Sequence, residues 1–464
     1  MKKTAMELTK LIEQLTKKIE VPKQNSNCNY VPQILNNLIK KDYYNDMDIF
    51  YIEKLSFKFE INNKLKSHYS NEWKKITDEN LEEPWQTIFS IVLYKKFVCD
   101  KKKNNELEML FKIINTLLKS LEISKNQIND ACISNINNII FKDIISFIEV
   151  NNKKIPIDEE KIDFNTIQNS EFKTIPLTLL FFEGPIARSY AETLYSLNIK
   201  PERIINIISS VDLVSKKKIG KYFPKFLKKL LAILSQRTRI HYWSNFIIKN
   251  YPELYENILN TVQTSFSFNK KTILESHKLK NLRFYSNLVD QLLIENLNDK
   301  KLYEYLENTK NSTILYTGGG MLPEILLKMK KHRYIHIHPG YLPQIRGADC
   351  FLWSTLLKGK PSVSCFYMSS KIDMGEIILA KWLPKFKLKI SLNKYALKII
   401  YRSIYAFVDP WVRSYGLREL IHENKIFYKL DTKPQAELDG ITFHFMHSQL
   451  QKKLFENLQQ ENIL

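Results

Sequence analysis

The sequence predicts an α/β fold: a Rossmann-like domain with a mostly parallel sheet, preceded by an all-α domain and followed by a helical extension. Three observations carry this. All 11 glycines fall between Gly184 and Gly440, so the first third lacks the residue that tight turns between strands favour. From Thr174 onward, short apolar runs alternate with segments of helical spacing, as βαβ units require. After Leu388 the helical spacing continues alone, which sets the expected domains at 1–170, 171–388 and 389–464.

In the first domain, LTKLIEQLTKKIE places Leu8, Leu11, Ile12, Leu15 and Ile19 at helical intervals. LEMLFKIINTLLKSL does the same with Leu107, Leu110, Phe111, Ile114, Leu117, Leu118 and Leu121. No chemical motif accompanies them, so a helical scaffold or a module for docking a protein partner is expected. The second domain opens with the apolar run TIPLTLLFF, the turn EGP, the helical IARSYAETLYSLN and a second run, PERIINIISS. The basic stretch KKKIGKYFPKFLKKLLAILSQRTRIHYW follows and reads as a solvated helix. A second alternation runs from NLRFYSNLV through helical LYEYLENT, strand-like STILYT, and Gly318-Gly319-Gly320 to the helix MLPEILLKMKK, with Pro323 in its first turn. The strand RYIHIH comes next. A sheet of this kind binds ligands beyond the carboxyl ends of its strands. Three glycines between a strand and a helix let a ligand approach the backbone closely and leave N–H groups free for an anion or a carbonyl.

The totals narrow the class. At 464 residues with 44% hydrophobic content the chain can bury a large core. No apolar run approaches the roughly 20 residues a membrane span needs, and MKKTAMELTK leads into an amphipathic pattern rather than a signal-peptide segment, so a cytoplasmic protein is expected. Five cysteines, Cys28, Cys99, Cys132, Cys350 and Cys365, are scattered without a CxxC pair, which argues against a disulfide framework and a cysteine zinc site. The net charge of +21 comes mostly from lysines spread among asparagines and isoleucines, so nucleic-acid binding is possible but not favoured.

The chemistry concentrates in YIHIHPGYLPQIRG. On a strand, side chains alternate, so His336 and His338 share a face while Ile335 and Ile337 share the other. One use of such a pair is a metal site completed by Asp373, with His332 on the same strand face, which would make the protein a metal-dependent hydrolase. The other is acid–base work by one imidazole while the second group polarises a carbonyl.

The residues that follow, HPGYLPQIRGADCFLWSTLLKGKPSVSCFYMSSKIDMGEII, resemble the core signature of the formyltransferase family. That family includes the glycinamide ribonucleotide, methionyl-tRNA and sugar N-formyltransferases. Its pattern is Asn-x-His, a proline or small residue, Ser-Leu-Leu-Pro, usually Arg-Gly, a helix, a glycine, a strand and Asp-x-Gly. It stands here as His336-Ile337-His338, Pro339-Gly340-Tyr341-Leu342-Pro343, Arg346-Gly347 and Asp373-Met374-Gly375. The resemblance implies transfer of a formyl group from 10-formyltetrahydrofolate to an amine, with no metal. His338 would accept the amine's proton and Asp373 would orient the imidazole. The oxygen of the tetrahedral intermediate needs a donor worth roughly 3–4 kcal/mol in comparable acyl transfers. Here that donor would be His336, where the family has asparagine. Folate contacts are expected from Gly318, Gly319, Gly320, Met321, Leu322 and Pro323, and from Gly340, Tyr341, Leu342 and Pro343. Arg346 and Gly347 are expected at the substrate, Arg346 either on a substrate phosphate or bracing the loop. A sugar nucleotide or another small amine is the favoured acceptor. A non-catalytic interaction protein on the same fold is the third expectation. Asp349 is expected to cap the helix CFLWSTLLKG, and His444 and His447 to be surface or packing residues.

Overall fold

The computed structural model describes residues 171–459, except 389, 391, 424–429, 437 and 438, together with Phe111, Ile114, Asn115, Leu118 and Lys119. The chain forms two compact units, Met1–Ile155 and Pro156–Leu464. In the first, the five described positions are helical, with Phe111, Ile114 and Leu118 buried, as their spacing predicts. The other expectations for residues 1–170 lie outside the described residues.

In the second unit, β1 (Lys173–Phe182), α1 (Pro185–Ser196) and β2 (Ile199–Ser209) form the opening βαβ turn. Four helices follow: α2 (Lys225–Ile240), α3 (Tyr242–Asn250), α4 (Pro252–Phe266) and α5 (Lys270–Ser276). Next come β3 (Leu288–Ile294), α6 (Lys300–Glu307), β4 (Ser312–Tyr316), α7 (Glu324–Leu327) and β5 (His332–His338). The chain continues through β6 (Ile345–Gly347), α8 (Cys350–Lys358), β7 (Ser362–Tyr367) and β8 (Ile377–Trp382). It ends with α9 (Leu397–Ser403), a π-helical turn (Ile404–Val408), α10 (Asp409–Glu423), β9 (Ile441–Phe443) and α11 (Ser448–Gln459).

The main sheet has seven strands in the order β3-β2-β1-β4-β5-β7-β8. In that order β3 to β5 run parallel, β7 is antiparallel to β5 and β8 to β7, so β7 is the reversed strand of a mixed but mostly parallel sheet. The order turns outward in both directions from β1 and β4, whose carboxyl ends therefore flank the crevice such sheets use for ligands. One face buries Leu180, Ile205, Ile207, Ile314, Tyr316 and Tyr334 against Leu302 and Leu306 of α6. On the other, Gly416 of α10 sits so close to Val363 and Ile337 that a Cβ would come within 2.6 Å of Val363, which lets this helix lie flat on the sheet.

Glu183, at the end of β1, carries a buried cluster: Arg188 contacts it at 2.8 and 2.5 Å, Arg237 at 3.3 Å and His241 at 3.2 Å. Burial alone would raise its pKa. The hydrogen bonds from Arg188 and His241 overcome that and hold the carboxylate well below its usual range.

Three local expectations are corrected. MLPEILLKMKK is helical only over Glu324–Leu327, with Pro323 at the cap, because Leu326 and Met329 turn into the core and Lys331 pairs with Ser312 to start β5. NLRFYSNLV holds a short 3-10 turn at Leu282–Phe284 before β3 begins. Within the helical C-terminal extension, Ile441–Phe443 is a strand, paired in parallel with β6.

Candidate functional site

β5 carries both histidines on one face, as strand alternation requires, and ends at His338. Its antiparallel neighbour β7 places Phe366 opposite His336 and Ser364 opposite His338. Ser364 fixes the turn that follows: its hydroxyl donates to the Gly340 carbonyl at 2.7 Å and accepts from the Leu342 N–H at 2.9 Å. Gly340 itself is required by space. A Cβ there would lie 2.6 Å from His338 Nε2 and 2.5 Å from the Ile345 carbonyl oxygen.

The loop from β7 to β8 returns Asp373 to the end of β5. Its φ is +52°, a left-handed conformation that aspartate tolerates better than most residues. Asp373 Oδ2 accepts the Gly347 N–H at 2.8 Å and lies 3.6 Å from His338 Nδ1. The other ring nitrogen, Nε2, is 3.2 Å from the Ile345 carbonyl oxygen, which can only accept. Asp373 also only accepts, but at 3.6 Å it lies beyond hydrogen-bond distance, so the neutral His338 ring places its proton on Nε2 and leaves Nδ1 as the basic atom beside Asp373. Burial lowers the pKa of His338, while Asp373 acts in the opposite direction. Burial and then the Arg413 charge lower that of His336 as well, so both imidazoles are neutral at pH 7.

The glycine turn adjoins this pair. Gly318, Gly319 and Gly320 have φ between 109° and 131°, which side-chain-bearing residues rarely adopt. The Tyr316 hydroxyl donates to the Gly320 carbonyl, and the Tyr316 ring lies 6.0 Å from that of His336. A Cβ at Gly318 would meet nothing within 4 Å, so bare backbone faces open space there. Met321 is 76% exposed at its edge, and Leu322 is buried in the core. These residues fit a flat ligand laid against main chain. Tyr341 stacks on Trp382 at 4.6 Å, Leu342 packs with Phe366 and Ile377, and Pro343 lies against Gly440.

Some named residues point elsewhere. The Arg346 side chain is buried and donates to the Ala436 carbonyl at 2.8 Å, the geometry of a loop brace. Gly347 contributes its N–H to Asp373. Asp349 does not cap α8. Its φ is +56°, and its carboxylate instead accepts the Tyr401 and Tyr405 hydroxyls and the Met446 N–H. His332 lies at the far end of β5, bound to the Leu306 carbonyl and Ser312. No group of three metal-ligating side chains occurs among the described residues. His447 is buried and accepts from the Gln449 N–H, and the His444 carbonyl accepts from Trp353 Nε1.

Sequence reasoning missed Arg413. From α10 its Nη1 donates to the Ile337 carbonyl at 2.5 Å and approaches His336 Nε2 at 3.4 Å, while its Nε binds Asp409 at 2.8 Å. The only signal in the sequence was the i, i+4 spacing of Asp409 and Arg413.

Three histidines, His338 buried and His277 and His336 partly buried, set a pH dependence of stability. Burial lowers the pKa of His277 to about 4 and lowers those of His336 and His338. Unfolded histidines bind protons near pH 6.5, where the folded ones do not, so stability is full above that pH and declines below it. For His277 the expected loss at pH 5 is about 2 kcal/mol. Melting temperature should be flat from pH 7.5 to 8.5 and fall steadily from pH 6.5 to 5. A constant value across pH 5–8 would show that these rings are charged or exposed in the folded protein.

No family model matches the chain. Among solved structures, it is similar to a 4-N formyltransferase from Francisella tularensis, at 13% identity over 62% of this chain and 87% of that one, with a TM-score of 0.29. It is also similar to a phosphoribosylglycinamide formyltransferase from Anaplasma phagocytophilum, at 12% identity over 59% and 100%, with a TM-score of 0.29. Two curated relatives are methionyl-tRNA formyltransferases. That of Orientia tsutsugamushi (strain Boryong) is 38% identical over 65 residues, which is 14% of this chain and 21% of the relative. That of Syntrophus aciditrophicus (strain SB) is 32% identical over 91 residues, 19% and 29% respectively. The match thus spans less than a third of either relative's length. The sequence likeness is to the formyltransferase family, as the His-x-His and Asp-x-Gly signature implies. No helix among the described residues is long and apolar enough to cross a membrane.

Proposed function

We propose that this protein transfers a formyl group from 10-formyltetrahydrofolate to an amine. The observation that carries the reading is His338 at the end of β5, neutral, buried, and with Nδ1 facing Asp373 at 3.6 Å. The folate supplies an electrophilic formyl carbon when bound. The residues that would hold it are Gly318 to Pro323 on one side and Gly340 to Pro343 on the other. His338 Nδ1 would take the amine's proton as the amine nitrogen bonds to the formyl carbon, and would return it to the folate nitrogen as the old carbon–nitrogen bond breaks. The Asp373 carboxylate then favours the charged ring. His336 supplies the hydrogen bond that the formyl oxygen needs as it gathers charge. Burial excludes bulk water, which strengthens both effects.

The favoured acceptor is a sugar nucleotide or another small amine. The segment after α10 braces the loop that follows β5, pairing β9 with β6 and holding Arg346 through Ala436. The curated relatives are methionyl-tRNA formyltransferases, so an aminoacyl-tRNA is the acceptor to test beside small amines.

Calorimetric titration with 5-formyltetrahydrofolate, with metal content measured on the same sample, tests the reading. Binding at micromolar Kd, on the order of −8 kcal/mol, without stoichiometric metal is expected. Absence of folate binding in a sample carrying one zinc or iron per chain would replace this reading with that of a metal-dependent hydrolase.

A further inference from the structure

The family's asparagine presents one fixed amide donor, whereas a histidine can carry its proton on either nitrogen. The structure contains a device that removes this ambiguity. The two N–H groups on Arg413 Nη1 are directed to the Ile337 carbonyl at 2.5 Å and to His336 Nε2 at 3.4 Å. Asp409 clamps the same guanidinium through Nε at 2.8 Å, with Asp409 itself buried. A guanidinium has donors only, so the nitrogen facing it must be the one without a proton. The proton then sits on Nδ1, which is buried and has no partner at hydrogen-bond geometry, the Tyr316 main chain being the polar group that interacts with the ring there. A buried N–H without a partner is uncommon and calls for an explanation. Here the ring stands between Tyr316, at 6.0 Å, and Phe366, at 5.8 Å, beside the glycine turn.

We infer that Arg413, clamped by Asp409, is a positioning residue that fixes His336 in its Nδ1–H tautomer, so that this N–H is the donor for the reacting carbonyl oxygen. The inference deepens the formyl-transfer reading and rests on it for the identity of that oxygen. The tautomer itself is independent of any activity. The charged and titratable groups around the ring are Arg413, Asp373 and His338, with the Tyr316 main chain nearby. Burial and then the Arg413 charge disfavour a second proton, against the opposing pull of Asp373, so the ring stays neutral through the pH range in which free histidine titrates.

The test is nitrogen NMR of the full-length protein labelled at histidine, with the His336 signals identified by their loss in His336→Asn. The wild-type ring should show a protonated Nδ1 and an imine-type Nε2, unchanged between pH 5.5 and 8. A protonated Nε2 in the wild type overturns the inference without recourse to any variant. In Arg413→Met the tautomers should mix or the ring should titrate, and Arg413→Lys should restore part of the wild-type pattern. An Arg413→Met spectrum identical to wild type also overturns it. In turnover, Arg413→Met should lower kcat by about 10–100-fold with KM little changed, the signature of a donor lost in the transition state. The wild-type tautomer pattern in a protein that binds no folate would retain the tautomer assignment and reject the formyl-transfer reading, so the two fail separately.

Discussion

Alanine in place of His338 should lower kcat for formyl transfer by about 10²–10⁴-fold, the usual contribution of a positioned general base. Affinity for 5-formyltetrahydrofolate should stay near the wild-type value, because the proposed folate contacts come from the glycine turn and the segment after Pro339. The reason for so large an effect is geometric. His338 is the basic group whose free nitrogen faces Asp373, and the Ile345 carbonyl ties up its other nitrogen at 3.2 Å. The wild-type rate should be flat through neutral pH and decline only on the acid side, because burial holds the pKa below 6.5 and Nδ1 must be unprotonated to act. In His338→Ala that acid limb should disappear along with most of the rate. The deciding measurements are single-turnover rates from pH 5 to 8, with thermal melts to show that both proteins are folded. Wild-type-like turnover in the folded variant would remove His338 from the chemistry.

Much of this site was legible before the fold. Strand alternation put His336 and His338 on one face, and the antiparallel return of β7 explains how Asp373, far along the chain, comes back to the end of β5. The spacing also located the alternation of β1 through β5, because buried parallel strands read as continuous apolar runs. What stayed hidden depends on contacts across long loops. Arg413 reaches His336 from 77 residues away, and nothing in DPWVRSYG distinguishes it from any half-buried helical arginine. Asp349 stands where a helix cap belongs, and only the fold shows its carboxylate turned to Tyr401 and Tyr405. The three residues of β9 are too few to show a period, and they become a strand only because β6 offers an edge.

Serine at position 340 should impair this protein, although it would restore the residue found in the Ser-Leu-Leu-Pro pattern of the formyltransferases. The new Cβ would lie 2.5 Å from the Ile345 carbonyl oxygen, 2.6 Å from His338 Nε2 and 2.8 Å from Cys350 Cβ. None of these is the free end of a flexible chain, so the wedge enters the contact between His338 Nε2 and the Ile345 carbonyl. Overpacking of this kind costs about 1–3 kcal/mol of stability, and a catalytic group displaced by about 1 Å loses on the order of 10²-fold in rate. Gly340→Ser should therefore show a lowered melting temperature and a kcat reduced by about that factor. Tyr341→Leu, the neighbouring change toward the family pattern, serves as the contrast. It removes a stack on Trp382, worth about 0.5–1.5 kcal/mol, without touching His338. It should weaken folate binding or stability modestly and leave the acid limb of the rate intact. Full activity in Gly340→Ser would mean that the turn moves aside freely, and that the His338–Ile345 contact is not what holds the base in place.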